Sequence, residues 1–239
     1  MNLLFVSDLH LSEKNPGHIH AFLKFLNESQ DSCSQLFILG DLFEIWIGDD
    51  EDMPLLLEVK EALKSFVENG TETFFIHGNR DFLIGKIFSK ETGIKILSDP
   101  YTFWMNGKKI ILSHGDFLCT DDKDYIKFRK KVRKKDWQSD FLSRPLDERR
   151  KIAAVLREDS KKLSAQKAEH ITDVNHQTLK EFINKNKPDF FIHGHTHRPM
   201  IHSLDSCKRV VLGDWDKYGW AFLIDDQKHE LKKFSINSK

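Results

Sequence analysis

A chain of 239 residues is long enough for one sizeable domain, or for a domain carrying a large insertion, and 39% hydrophobic residues suffice for a buried core. Lys+Arg and Asp+Glu balance at 37 each, so overall charge gives no argument for a nucleic-acid partner. Three widely spaced cysteines (Cys33, Cys119, Cys207) fit neither a disulfide framework nor a CxxC zinc site, and they suit a reducing compartment.

The N-terminal stretch lacks a basic leader and meets an acidic residue at Asp8, so it reads as a strand rather than a signal peptide. No apolar run approaches the ~20 residues of a membrane span. The expectation is a cytoplasmic protein, soluble or at most peripherally attached to a membrane.

Leu3–Val6 is a compact apolar run, as in a strand buried on both faces. Ile19–Leu26 follows helical spacing, Leu36–Leu39 is a second buried run, and Leu55–Val67 is again helical. Phe74–Ile76 is a third strand, followed by a helix near Phe82–Glu91. Strand alternating with helix predicts an α/β fold of βαβ units. Tyr101–Trp104 and Lys109–Leu112 then flank Asn106-Gly107, a hairpin signal. From 121 to 187 strand-like runs vanish and charged residues dominate, which predicts a helical insertion. Phe190–Ile192 restores a buried strand, and Met200–Leu204, Arg209–Leu212, Ala221–Ile224 and Glu230–Ile236 read as antiparallel β.

The buried strands end alike. The runs closing at Ser7, Leu39, His77, Ser113 and His193 lead into Asp8-Leu9-His10, Gly40-Asp41, Gly78-Asn79-Arg80-Asp81, His114-Gly115-Asp116 and Gly194-His195-Thr196-His197. Functional groups in open α/β sheets gather at the carboxyl ends of the strands, so these side chains should share one small volume. Carboxylate, amide and imidazole without thiolate favour manganese, iron or zinc. Asp8/His10 and His195/His197 are i, i+2 pairs, which project to one side of an extended segment. Asp8, His10, Asp41, Asn79, His114, His195 and His197 exceed the needs of one ion, so two divalent ions are expected, with Asp41 as the bridging carboxylate. Any one of these residues alone would more often be a cap, a turn residue or a satisfied core histidine. Their joint recurrence reverses that balance. His193 is expected to support the ligands from its strand.

These motifs resemble the calcineurin-like metallophosphoesterase family, whose D-x-H, G-D, G-N-[HR]-D, H-G and G-H-T-H elements occur here in order. The resemblance implies a β-sandwich flanked by helices in αββα layers. It also implies core segments at 1–120 and 188–239 and a helical lid at 121–187 over the active site. Asp8, His10, Asp41 and His197 would hold one ion and Asp41, Asn79, His114 and His195 the other, with a bridging hydroxide as nucleophile. Many members carry Asn-His-Asp, whose histidine assists the leaving group; here Arg80 takes that place. Arginine cannot act as a general acid but can grip a phosphate bidentately. A diphosphate substrate, whose leaving group needs little protonation, tolerates that exchange.

Within the family, the stretches 40–50, 78–83 and 114–122 look like the branch that hydrolyses UDP-2,3-diacylglucosamine in lipid A synthesis. That likeness implies attack at the α-phosphorus, UMP and 2,3-diacylglucosamine 1-phosphate (lipid X) as products, manganese as the metal, and a monomer. It implies substrate contacts at Asn79, Arg80, Asp122, Tyr125, Arg157, Ser160, Ser164, Lys167 and His195, although Ser164 stands where asparagine is expected. Arg157, Ser160, Ser164 and Lys167 share one helical stripe, which an ordinary amphipathic helix would also show. Asp122 equally suits a helix cap. Ile152, Val155, Leu156 and Leu163 would pack together or line acyl chains.

Lys123–Lys135 carries eight Lys/Arg against Asp124 alone. Such a run is either a solvated helix face or a patch drawn to anionic head groups, and a bisacylated substrate favours the second: a peripheral protein on the cytoplasmic face of the inner membrane. A nucleotide or phosphoprotein esterase of the same superfamily is the alternative enzyme. A non-catalytic scaffold would show eroded ligands, which this chain does not.

Overall fold

The computed structural model describes residues 2–236, the side chains of 164–166, 169 and 170 excepted. In chain order the elements are β1 (Leu3–Val6), α1 (Pro16–Ser29), β2 (Gln35–Ile38), α2 (Pro54–Glu68), β3 (Glu72–Phe75), α3 (Lys86–Thr92), β4 (Lys95–Ile96), β5 (Tyr101–Met105) and β6 (Lys108–Ser113). There follow α4 (Lys123–Val132), α5 (Lys135–Leu142), α6 (Leu146–Gln166), α7 (Glu169–Thr172), α8 (His176–Asn186), β7 (Phe190–His193), β8 (Met200–Ser203), β9 (Lys208–Val211), β10 (Tyr218–Ile224) and β11 (His229–Ser235).

One sheet has the order β11-β10-β1-β2-β3-β4 and the other β5-β6-β7-β9-β8. The alternation of side chains along β1 explains the layering. Leu3 and Phe5, with Phe37 and Phe222 of the same sheet, face the second sheet and cluster with its Ile110, Leu112, Ile192 and Val210. Leu4 and Val6 face outward and pack with Phe22 of α1 and Val59 of α2. On the far side, Ile111 and Phe191 of the second sheet pack under Leu179 and Ile183 of α8. The result is the expected αββα stack.

Proline opens α1 and α2, where a missing N–H costs nothing. The helix expected near Phe82 starts at Lys86 instead. There Asp49, from another loop, accepts hydrogen bonds from the backbone N–H of Gly85 (2.9 Å), Ile87 (2.9 Å) and Phe88 (3.1 Å). The C-terminal strands do not form one antiparallel run. β8 and β9 belong to the second sheet, with β9 parallel to β7, whereas β10 and β11 cross to the first. Within 121–187, α8 is the crossover that the parallel pair β6–β7 requires. The preceding helices reach the other core through Phe141, Trp137 and Ile152. Among the described residues, no helix is long and apolar enough to cross a membrane.

Candidate metal centre

β1, β2 and β3 of one sheet and β6 and β7 of the other run parallel, and their carboxyl ends meet at one seam. The backbone turns there by an unusual route. Asp8 (φ 55°), His10 (50°), Asp41 (54°), His195 (68°) and His197 (54°) all lie in the left-handed region. Such conformations persist only where surrounding structure imposes them, and they cluster at functional sites. Here backbone bonds from Asp8 N to Gly40 O (3.1 Å) and from His10 N to Asp41 O (3.0 Å) lock the corners. Two glycines permit the approach: a Cβ on Gly78 would stand 2.1 Å from Asp41 Oδ1, and one on Gly194 would stand 2.2 Å from Asp8 Oδ2.

Two donor clusters result. Asp8, His10 and His197 form one; Asp8, Asp41 and His114 form the other. The Nε2 atoms of His10 and His197 face each other at 3.4 Å, and His197 Nε2 lies 3.2 Å from Asp8 Oδ1. A single ring proton cannot satisfy all these lone pairs, whereas a divalent cation would. His114 Nε2 lies 2.9 Å from Asn79 Oδ1 and 3.7 Å from Asp41 Oδ1. His195 lies beside this cluster without belonging to it: its ring is 5.0 Å from that of His114, and its backbone N–H donates to Asp8 Oδ2 (2.9 Å). Asp8, expected in one metal's set, is thus common to both clusters, while Asp41, the expected bridge, sits in the second.

The opposite ring nitrogens complete the case for a metal. A metal-bound imidazole needs an acceptor for its other N–H. His114 Nδ1 lies 2.9 Å from the Leu39 carbonyl, and His197 Nδ1 lies 3.4 Å from Asp214 Oδ2. His10 Nδ1 is buried without a hydrogen bond and looks at Glu44.

Charge follows from burial and neighbours. Burial alone would raise the Asp8 carboxyl, but His197, His114 and His10 outweigh it and hold the group ionised well below the usual range. Burial and the proximity of His114 push His195 down to about 4, which suits a neutral ligand. Burial works against His197 as well, yet the carboxylates of Asp8 and Asp214 beside it raise it to about 10.

A layer of carboxylates anchors the ligand loops. Asp81 accepts hydrogen bonds from the backbone N–H of Leu42 (2.7 Å), Gly78 (2.9 Å) and Asp41 (3.2 Å), tying the β2 and β3 corners together. Asp116 is fully buried and accepts from Tyr125 Oη (2.6 Å) and Arg129 Nε (2.7 Å) on α4. Arg133 reaches the Gly78 carbonyl (2.8 Å). His193, expected to support the ligands from its strand, is fully buried on β7, and its Nε2 accepts from Arg209 Nε (2.9 Å).

A cavity of about 280 Å³ opens between this seam and α4, α5 and α6. Its lining is mixed: Asn79, Arg80, Tyr125 and Arg157 and the carboxylates of Glu44, Asp122, Asp124 and Asp159 share it with Trp46, Phe82, Phe128, Trp137, Leu156 and Leu163.

The calcineurin-like phosphoesterase family model matches residues 1–199. The chain belongs to that family. It is 44% identical to a UDP-2,3-diacylglucosamine hydrolase of Tolumonas auensis, over 100% of this chain and 99% of that protein. Hydrolases of the same name from Photorhabdus laumondii (43% identity, 98% and 99% covered) and Salmonella typhi (44%, 99% and 100%) are similarly related. The structure of an archaeal phosphodiesterase shares the fold, with a TM-score of 0.51 and 14% identity over 98% of this chain and 99% of that one.

In this calcineurin-like phosphoesterase, most residues singled out from the sequence for substrate line the cavity: Asn79, Arg80, Asp122, Tyr125, Arg157, Ser160 and Lys167. Several are engaged already. Asp122 caps α4 through Tyr125 N (3.0 Å), as the cap reading expects, and also pairs with Lys167 Nζ (2.6 Å). His195 lies outside the cavity lining but stacks against Tyr125, rings 5.6 Å apart. Ser164 lies outside the described residues. Leu156 and Leu163 face the cavity, whereas Val155 is 59% exposed. Glu44, Asp214, Asp116 and Arg129 were not expected at the site. Glu44 and Asp116 lie inside the very motifs that carry the ligands, which was the available signal; Asp214 has none.

Proposed function

We propose that the chain hydrolyses the pyrophosphate bond of UDP-2,3-diacylglucosamine, by attack of water on the α-phosphorus, releasing UMP and 2,3-diacylglucosamine 1-phosphate (lipid X) for lipid A synthesis. The observation that carries the reading is the amphiphilic cavity: Asn79 and Arg80, beside His114 and Asp41, line it together with the aromatic and aliphatic side chains of Trp46, Phe82, Phe128, Trp137, Leu156 and Leu163. A sugar nucleotide with acyl chains matches that distribution of surface. The 43–44% identity to hydrolases of this name supports the same substrate.

Asp8, His10, Asp41 and His197 would hold one divalent ion and Asp41, Asn79, His114 and His195 the second, with manganese as the metal. When bound, such ions neutralise phosphoryl charge and lower the pKa of the attacking water. The chain's own residues do the rest. Arg80 Nε faces Asp41 Oδ2 at 3.8 Å without a hydrogen bond, and the guanidinium, which lines the cavity, would donate to a phosphate oxygen. Because arginine keeps its proton, the departing sugar phosphate must leave as an anion, and a phosphate leaves well in that form. Tyr125 covers the His195 ring, their centroids 5.6 Å apart.

The reading includes a lid formed by the inserted helices and a peripheral seat on an anionic membrane. Lys123, Lys127, Lys130, Lys131, Lys134 and Lys135 are exposed on α4 and at the start of α5, while Arg129 and Arg133 turn inward. Each exposed lysine would contribute about 1 kcal/mol at an anionic surface. Incubating the purified protein with Mn²⁺ and UDP-2,3-diacylglucosamine should release UMP. Release of UDP would overturn attack at the α-phosphorus, and inertness with turnover of cyclic nucleotides would favour a nucleotide phosphodiesterase.

A further inference from the structure

Glu44 is a carboxylate in the lining of a cavity that must receive a polyanion; it stands beside His10, yet it is none of the seven ligands. Its placement is rigid. Leu11 and Phe43 form a parallel bridge, and Glu44 N donates to Leu11 O (3.1 Å), so the residue is stitched to the segment bearing His10. Its two oxygens then face different partners. Oε2 lies 3.4 Å from His10 Nδ1, the ring nitrogen turned away from the donor cluster. Oε1 accepts from Arg157 Nε (2.6 Å) on α6 and lies 3.8 Å from Lys161 Nζ.

We propose that Glu44 is a positioning residue that serves both halves of the site, orienting His10 toward the metal through one oxygen and Arg157 toward the substrate phosphates through the other. The inference rests on the hydrolase reading for the second half only. The chemistry of the first half is that of the imidazole. Coordination through Nε2 requires the proton on Nδ1, and an acceptor there selects that tautomer and fixes the ring plane. His114 and His197 face Leu39 O and Asp214 with that nitrogen; for His10 the group so placed is Glu44 Oε2, 3.4 Å away and not yet hydrogen-bonded. The second half is geometric. Arginine on a helix that spans the cavity has many rotamers, and one carboxylate at 2.6 Å selects the rotamer that faces the donor clusters. One side chain therefore ties an inserted helix to a metal ligand.

Glu44→Gln separates these duties without changing shape. A glutamine has one oxygen: if Arg157 keeps it, the amide N–H₂ opposes the Nδ1 proton of His10, and if His10 keeps it, Arg157 is released. Titration calorimetry of chelator-stripped protein with Mn²⁺ alone should show affinity reduced 10- to 100-fold, the range found for loss of a histidine's outer partner. Arg157→Gln should leave Mn²⁺ affinity within about twofold while raising KM, and Glu44→Gln in the Arg157→Gln background should raise KM no further, because the two act as a unit. Glu44→Asp keeps the charge but is too short to reach both partners, so it should lower Mn²⁺ affinity in the same direction if the glutamine variant folds poorly. Unchanged Mn²⁺ affinity in a folded Glu44→Gln or Glu44→Asp protein would refute the role at His10; additive effects on KM would refute the tie to Arg157. If the native protein binds Mn²⁺ but releases no UMP, the hydrolase reading and the Arg157 limb fail together, and the calorimetry alone decides the role at His10.

Discussion

Replacing Asp116 by alanine is expected to loosen α4 and to lower the melting temperature well beyond an ordinary surface change. The carboxylate is fully buried and is the acceptor for Tyr125 Oη (2.6 Å) and Arg129 Nε (2.7 Å). Removing one partner of a buried pair costs about 3–5 kcal/mol, because the other charge is left in a poorly solvated place. Arg129 is 22% exposed and keeps Asp99 at 3.7 Å, so the lower end of that range applies. At roughly 2–4 °C per kcal/mol for a chain of this size, a loss of about 3 kcal/mol lowers the midpoint by roughly 6–12 °C. Tyr125→Phe removes a single hydrogen bond, about 1 kcal/mol, and should cost only a few degrees. Thermal unfolding followed by circular dichroism gives the midpoints, and amide exchange over 123–132 gives the local effect. An Asp116→Ala protein melting within about 2 °C of the native one would refute the assignment of Asp116 as the anchor of α4. So would a Tyr125→Phe shift as large as that of Asp116→Ala.

Asn79→Ala and His114→Ala should abolish release of UMP while far-UV circular dichroism stays native; retained turnover would remove either residue from the ligand set. Gly78→Ala places a Cβ 2.1 Å from Asp41 Oδ1 and should cut Mn²⁺ binding, measured by calorimetry, even though no ligand is altered. Reversing Lys130, Lys131 and Lys134 to glutamate should weaken co-sedimentation with anionic vesicles in a salt-sensitive way, and an unchanged pellet would dismiss the membrane-facing role of α4. Leu156→Trp, which fills the apolar wall, should raise KM for long acyl chains more than for short ones; equal effects would remove that wall from acyl recognition.

The chemistry-bearing corners were legible because strands buried on both faces read as uninterrupted apolar runs, and each run stops abruptly at an aspartate, histidine or Gly-Asx step. The hairpin at Asn106-Gly107 was legible for a similar reason: its residues favour the backbone they adopt. The C-terminal strands were recognisable, but not their sheet. Period-2 patterning tells which side chains share a face, not which neighbour a strand chooses, and β9 joins β7 while β10 joins β1. The start of α3 depends on Asp49, more than thirty residues upstream, capping it through space. The roles of the supporting carboxylates were hidden for the same physical reason, although Glu44 and Asp116 stand inside the ligand motifs. Asp116, Asp214 and Glu44 look like solvent-seeking residues until the fold brings Arg129, His197 and His10 against them.

The left-handed corners that carry Asp8, His10, Asp41, His195 and His197 have a consequence for how such a centre is assembled over evolutionary time. Asparagine, aspartate and histidine are enriched several-fold among the non-glycine residues that tolerate this backbone, and β-branched side chains are rejected. Two of those tolerated residues are also good donors for a hard or borderline divalent ion. The bend therefore acts as a sieve on the genetic alphabet before any ion arrives. It passes a short list already rich in ligands, so the path from an ordinary α/β seam to a dinuclear centre needs fewer accepted substitutions than seven independent positions would demand.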